Sequence, residues 1–205
     1  MPDTPSICIQ SLTGDTDRWD LVTDFLRLRR AVFIEKLDWP LHHGEAMEYE
    51  QYDRADTVYL VAHEGDRVLG GARLLRTDRT SGAGRVRYSY MIRDAWLGLL
   101  DGLPPAICDA EPPTRPDVWE LTRMVSTAGA AVAAAVLEAS NAYLLEQGAT
   151  SCLILGSPAF MRMARTRGYD LRPMGSVQGN RDGRFMAYDC AVLPRDVADV
   201  MAARG

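Results

Sequence analysis

Several common routes to function are closed by what this chain lacks. Its four cysteines (Cys8, Cys108, Cys152, Cys190) lie 100, 44 and 38 residues apart with no Cys-x-x-Cys pair, and the three histidines (His42, His43, His63) fall nowhere near them. That spacing supports neither a zinc site nor a disulfide framework, so no metal is expected. No apolar run reaches the ~18 to 20 residues of a membrane span. The opening MPDTPSICIQ has neither the basic start nor the apolar core of a secretory signal. A cytoplasmic protein without stable membrane association is therefore expected. Positive charge is not in excess either: 23 Lys+Arg stand against 28 Asp+Glu, a net charge of −5. The field by which nucleic-acid binders collect phosphates is missing, and no nucleic-acid partner is expected. Lysine is almost absent, with Lys36 alone against 22 arginines. Arginine suits carboxylate and phosphate recognition, but such a bias more often reflects genome base composition.

What is present reads as an ordinary globular chain. The 205 residues are 47% hydrophobic and 25% charged, and a chain of this size buries roughly 70% of its unfolded surface, enough for a core without staples. One domain over residues 1–205 is expected. Apolar residues from Trp19 to Leu37 recur at three- and four-residue steps, predicting an amphipathic helix that Pro40 stops. LHHGEAMEYEQYDRAD, with five acids, is then a loop too long and charged for a simple connector. Thr57–His63 and Arg67–Leu75 read as a hairpin turning at Glu64-Gly65-Asp66. Thr77–Val86 is a flexible insertion, Tyr88–Leu100 a helix, and the proline-rich Leu103–Asp117 a loop. A strand Val118–Thr127, an Ala-rich helix Gly129–Glu146, a buried strand Ser151–Leu155, a helix Pro158–Arg167 and a strand Arg184–Val192 complete the chain. A meander feeding β-α-β units predicts an α/β fold: a mixed, mostly antiparallel central sheet flanked by helices on both faces, as in GNAT-type acyltransferases.

Three constellations could carry chemistry. Arg29 and Phe33, four apart, share a helix face, with Trp39 six further on; a core phenylalanine beside a surface arginine has the same pattern. Glu45, Glu48, Glu50 and Asp53 crowd one loop, where carboxylates repel unless solvated or facing a cation such as an amine or sulfonium. Trp119-Glu120-Leu121-Thr122-Arg123 lies inside the central strand, where alternation puts Trp119, Leu121 and Arg123 on one face and Glu120 and Thr122 on the other. A buried charge there is expensive unless paired, and a partnered Glu120 could serve as a general base. Met124–Ala130 lacks the repeated glycines with which GNAT enzymes cradle a pyrophosphate, which weakens an ordinary acetyl-CoA acetyltransferase. Gly70-Gly71 sits inside a strand, and Leu155-Gly156-Ser157-Pro158 is not a nucleophile elbow.

In order and nearly in spacing, Arg29, Phe33, Trp39, Glu50 with Asp53, Arg73-Leu74-Leu75, Tyr90-Met91-Ile92 and Trp119–Arg123 resemble the LuxI-type acyl-homoserine lactone synthases. Where the family usually has Asp and Phe, this chain has Glu50 and Trp96, and its loop from Arg73 to Tyr90 is longer. The resemblance implies acylation of the amine of S-adenosylmethionine by an acyl thioester, then lactonisation with release of methylthioadenosine, both reactants being substrates and no cofactor needed. It implies a catalytic group of Glu120, the expected base acting directly or through water, with Arg123 and Asp53. Arg123 is expected to support the architecture or fix an acidic loop residue. Arg29, Phe33, Trp39, Glu50, Asp53, Arg73 and Trp96 would bind S-adenosylmethionine, with Arg29 and Arg73 pairing to the acids. The ligand would supply the cation those acids lack, ordering residues 29–53. Leu121, Met124, Tyr143 and Leu155 would line an acyl pocket. The stretch Tyr90–Pro104 resembles a branch of the family that takes branched or aromatic groups from coenzyme A. Acyl-CoA is thus the favoured donor over acyl carrier protein, and Arg162, Arg165, Arg167 and Arg172 suit either partner. The alternatives are a GNAT-like N-acyltransferase acting on another amine, and an inert small-molecule binding module.

Overall fold

A computed structural model describes residues 7–41, 43–181 and 183–194; His42 and the first six residues weighed above lie outside the described residues. In chain order the strands are β1 (Cys8–Leu12), β2 (Val58–Glu64), β3 (Arg67–Arg76), β4 (Val118–Ser126), β5 (Ser151–Gly156), β6 (Leu171–Pro173), β7 (Gln178–Asn180) and β8 (Gly183–Ala191). The helices are α1 (Trp19–Arg29), continued by a π-helical segment Arg30–Lys36, then α2 (Met91–Trp96), α3 (Ala130–Glu146) and α4 (Pro158–Thr166). The chain forms two compact units, neither of them continuous in sequence: residues up to Leu75 with Thr122–Tyr143, and Arg76–Leu121 with the residues from Leu144 onward. Strand β4 and helix α3 each pass from one unit into the other.

In the first unit β1, β2 and β3 pair antiparallel, with Leu12 opposite Tyr59 and Tyr59 opposite Arg73. The hairpin turns at Gly65, whose φ of 58° is the left-handed conformation that glycine adopts without cost. Helix α1 turns Leu21, Val22, Phe25 and Arg29 inward. Phe25 meets Tyr59 edge-on at 6.0 Å, inside a core that also holds Leu12, Phe33, Val61 and Val125. Burying one such ring contributes about 1.5–3 kcal/mol. Gly71 makes room for it, since a Cβ there would stand 2.7 Å from the Phe25 ring and 2.5 Å from the Leu60 carbonyl.

In the second unit β4 and β5 pair parallel, Val118 opposite Ser151, as a strand–helix–strand crossover requires. β8 pairs antiparallel with β5, β6 and β7. Ser157 caps α4 by accepting from the Phe160 amide at 3.1 Å, with proline next in line, and Gly168 at φ 80° ends it.

The helices and strands expected from periodicity are present, with corrections. The predicted helix over 88–100 contracts to Met91–Trp96, ending before Gly98 at φ 71°. The 19–37 helix opens into π geometry at Arg30. β1 lay unread in the sequence. Among the described residues no helix is long and apolar enough to cross a membrane, and no three His, Cys, Asp or Glu side chains gather as a metal site.

Candidate active site

The residues singled out by sequence fall into two groups, one in each unit. The first begins at Arg29, where α1 gives way to the π-helical segment. Widening the helix there keeps Arg29 and Phe33 both facing inward, and both are buried. Asp38 at φ 53° reverses the chain, and the Trp39 amide donates to the Phe33 carbonyl at 2.9 Å. Trp39 is thereby folded back on Phe33, with ring centroids 5.0 Å apart and planes 17° from parallel. The acidic loop is tied to α1 by the Glu48 amide donating to the Leu26 carbonyl at 3.2 Å.

Arg29 forks onto Asp53, with Nη1 to Oδ1 at 2.7 Å and Nη2 to Oδ2 at 2.9 Å, while its Nε pairs with Glu48. Arg73 reaches Glu50 Oε1 at 2.8 Å, Asp53 Oδ2 at 3.0 Å and the Thr122 hydroxyl at 3.0 Å. Arg123 completes the ring, with Nε 3.2 Å from Glu48 Oε1 and Nη2 2.9 Å from Glu50 Oε1. Its guanidinium also lies 5.8 Å over the Phe33 ring. Tyr59 donates its hydroxyl to Asp53 at 2.8 Å. The Arg29, Arg73 and Glu48 side chains are 0% exposed, those of Arg123 and Asp53 6%, and that of Glu50 11%.

Three arginines meet three carboxylates, so the expectation that the acids wait for a ligand cation is corrected: the chain supplies the cations itself. The electrostatics follow. Burial alone would raise the Asp53 carboxyl, but Arg73 and Arg29 outweigh it and hold the group well below the usual carboxylate range. Burial likewise works against ionised Glu50, and Arg123 and Arg73 again prevail. Burial and the facing Asp53 push the Tyr59 phenol upward, so it stays a donor.

The alternation predicted for β4 is also corrected. Thr122 and Arg123 were expected on opposite faces, yet both side chains reach this ring. Arg123 has φ 52°, a left-handed residue inside a strand, and that local twist turns two successive side chains the same way. Glu48 was missed as a distinct participant. The available signal was its i, i+2 relation to Glu50, which places both on one side of an extended segment. Asp53 and Tyr59 also border a cavity of about 400 Å³, walled by Trp19, Val22 and Leu26 of α1 and by Met47 and Tyr49.

The second group centres on Glu120, which is fully buried. Expected as a general base, it has both oxygens engaged at the start of α2: Oε2 accepts from the Met91 amide at 3.0 Å and Oε1 from the Ile92 amide at 2.8 Å. Trp96 is the last residue of α2 and is half-buried. Of the residues expected to line an acyl pocket, Leu121 and Leu155 belong to the second unit and Met124 and Tyr143 to the first. In the arginine group near α4, Arg172 pairs with Asp170 at 3.0 Å and Arg165 donates to the Leu171 carbonyl at 2.5 Å. Both residues nonetheless stay exposed, Arg172 with 76% of its side chain accessible, so their charge remains at the surface.

The chain is similar to several known proteins. An acyl-homoserine-lactone synthase of Ralstonia solanacearum is 40% identical over 105 residues, half of this chain but only 44% of that protein's length. One of Acinetobacter nosocomialis is 29% identical over 175 residues, 78% of this chain and 87% of the relative. Among solved structures, the CoA-dependent acyl-homoserine lactone synthase BjaI with SAM and isopentyl-CoA superposes with a TM-score of 0.78 at 21% identity, over 97% of this chain and 88% of its own. An N-acetyltransferase of Lactobacillus plantarum reaches 0.58 at 14% identity, over 92% and 99%. At these identities the likeness establishes the fold, a GNAT-like mixed α/β architecture. The profile of the autoinducer synthase family matches residues 15–197, and the chain belongs to that family.

Proposed function

We propose that the protein makes an N-acyl-homoserine lactone from S-adenosylmethionine and an acyl thioester, with acyl-CoA as the donor. The observation that carries this reading is the buried, charge-balanced ring of Arg29, Glu48, Glu50, Asp53, Arg73 and Arg123 against the Phe33–Trp39 stack, in a chain of this family. In the first step the methionyl amine attacks the thioester carbonyl, the C–S bond breaks and coenzyme A leaves as the thiol. In the second, the methionyl carboxylate attacks its own γ-carbon, the bond to sulfur breaks and methylthioadenosine departs. The sulfonium already makes that carbon electrophilic, so the protein's task is to hold a folded conformer.

The ring suits that task because its side chains are fixed before substrate arrives. Arg73 and Arg123 both reach Oε1 of Glu50, the most exposed of the three acids. Glu50 is thus the natural place for the substrate ammonium, with Asp53 behind it. The stacked Phe33 and Trp39 offer an aromatic face to the sulfonium or the adenine. Backbone amides of β4 would serve as donors to the oxyanion. The donor assignment draws support from relatives described as CoA-dependent, BjaI and MesI.

Mixing the protein with S-adenosylmethionine and matched acyl-CoA and acyl-carrier-protein thioesters tests both parts. Methylthioadenosine release with kcat/KM higher for acyl-CoA, on a short branched or aryl chain, is the expected result. A carrier-protein preference of about tenfold, 1.4 kcal/mol at the transition state, overturns the donor. Amide formation on another amine without methylthioadenosine release returns the N-acyltransferase alternative.

A further inference from the structure

Helix α2 has only six residues, too few to hold itself, and its first amides have no partner within the helix. The residue before it, Tyr90, makes no side-chain cap. The structure meets that need from β4: the Glu120 carboxylate accepts the first two helical amides, Met91 at 3.0 Å and Ile92 at 2.8 Å. A second carboxylate, Asp94, accepts the Ser89 amide at 3.0 Å and the Ser89 hydroxyl at 2.8 Å, fixing the approach to the helix. Five residues along the same helix is Trp96.

We infer that Glu120 is a positioning residue: it fastens the first turn of α2, and its effect on turnover runs through the placement of Trp96 rather than through proton transfer. Two arguments support this. A proton taken up by either oxygen weakens the hydrogen bonds accepted from the Met91 and Ile92 amides, on which the helix start depends, so the resting geometry favours the group staying an acceptor of those amides. The amine, for its part, has little need of a strong base. An α-amino group with a pKa of about 7.7–8.0 is already unprotonated in roughly one molecule of ten at pH 7. Fastening, by contrast, is worth a good deal: a shift of about 1 Å in a positioning group costs about a hundredfold.

The inference rests on the lactone-synthase reading, and its test separates the two. Glu120→Gln is expected to lower kcat/KM about a hundredfold by the same factor from pH 6.5 to 9, because the lesion is one of geometry. If Glu120 were the base, the deficit would shrink above pH 8, where the substrate amine is free without help, and that recovery overturns the proposal. A second variant leaves Glu120 untouched. Met91→Pro deletes one of the two amide donors at a first helical position that proline tolerates, and Tyr90, at φ −151° and ψ 159°, already has the extended geometry required before proline. Met91→Pro is expected to fall at least fivefold below a Met91→Ala control, and equality of the two overturns the proposal. Amide exchange over residues 89–96, read without substrates, should lose protection in Glu120→Gln; unchanged protection counts against fastening even if the unaltered protein releases no methylthioadenosine.

Discussion

Asp53 shows how much one side chain can be asked to do. It accepts a two-pronged contact from Arg29, the Glu50 amide at 2.9 Å and the Tyr59 hydroxyl, and pairs with Arg73. Because its carboxyl and that of Glu50 are held below their unfolded values, the stability they contribute is complete above the ordinary carboxylate range near pH 4. It is lost as the pH falls from there toward the lowered native values. Urea midpoints should therefore be flat from pH 7 to 5 and drop steeply below 4. Asp53→Asn, which leaves buried arginines short of a partner, should cost about 3–5 kcal/mol at pH 7 and flatten that drop. The sequence showed the acids crowded into one loop and named Arg29 and Arg73 as their partners. It did not separate Glu48 from its neighbours, since that assignment depends on Arg123, 75 residues away along the chain.

At the scale of elements, the kink at Arg123 is the feature that a propensity argument cannot reach. Nothing local favours φ 52° for an arginine; the conformation is held by ion pairs to Glu48 and Glu50, which outweigh an intrinsic cost of about 1–2 kcal/mol. Arg123→Gly and Arg123→Ala both lose the guanidinium, and both should lose most activity. The glycine variant should nonetheless be the more stable by about 1 kcal/mol, because only alanine retains the left-handed penalty. Equal unfolding midpoints would show that the kink relaxes once its ion pairs are gone. The same blindness hid the π-helical opening after Arg29, where an unbroken apolar period read as one continuous helix. Elements set by local pattern, such as the hairpin at Gly65 and the capped helix after Ser157, were legible to within a residue or two.

Across the whole molecule, each unit is assembled from separated stretches of chain, which explains both what sequence reading found and what it lost. The strand–helix–strand run through β4, α3 and β5 is contiguous and was visible. β1 pairs with β2 across a gap of more than forty residues and was not. Cutting the chain after Leu121 removes Thr122 and Arg123 from the buried ring and Val125 from the first unit's core. The fragment 1–121 is expected to melt without a cooperative transition, and a sharp thermal unfolding curve from it would contradict that. The ring's internal balance also bears on how such a protein can diverge. With three positive and three negative side chains buried or nearly so, any single replacement of a charge strands its partner. Descent can therefore alter the charge at these six positions only in compensating steps of opposite sign, while the walls around them are at liberty to change.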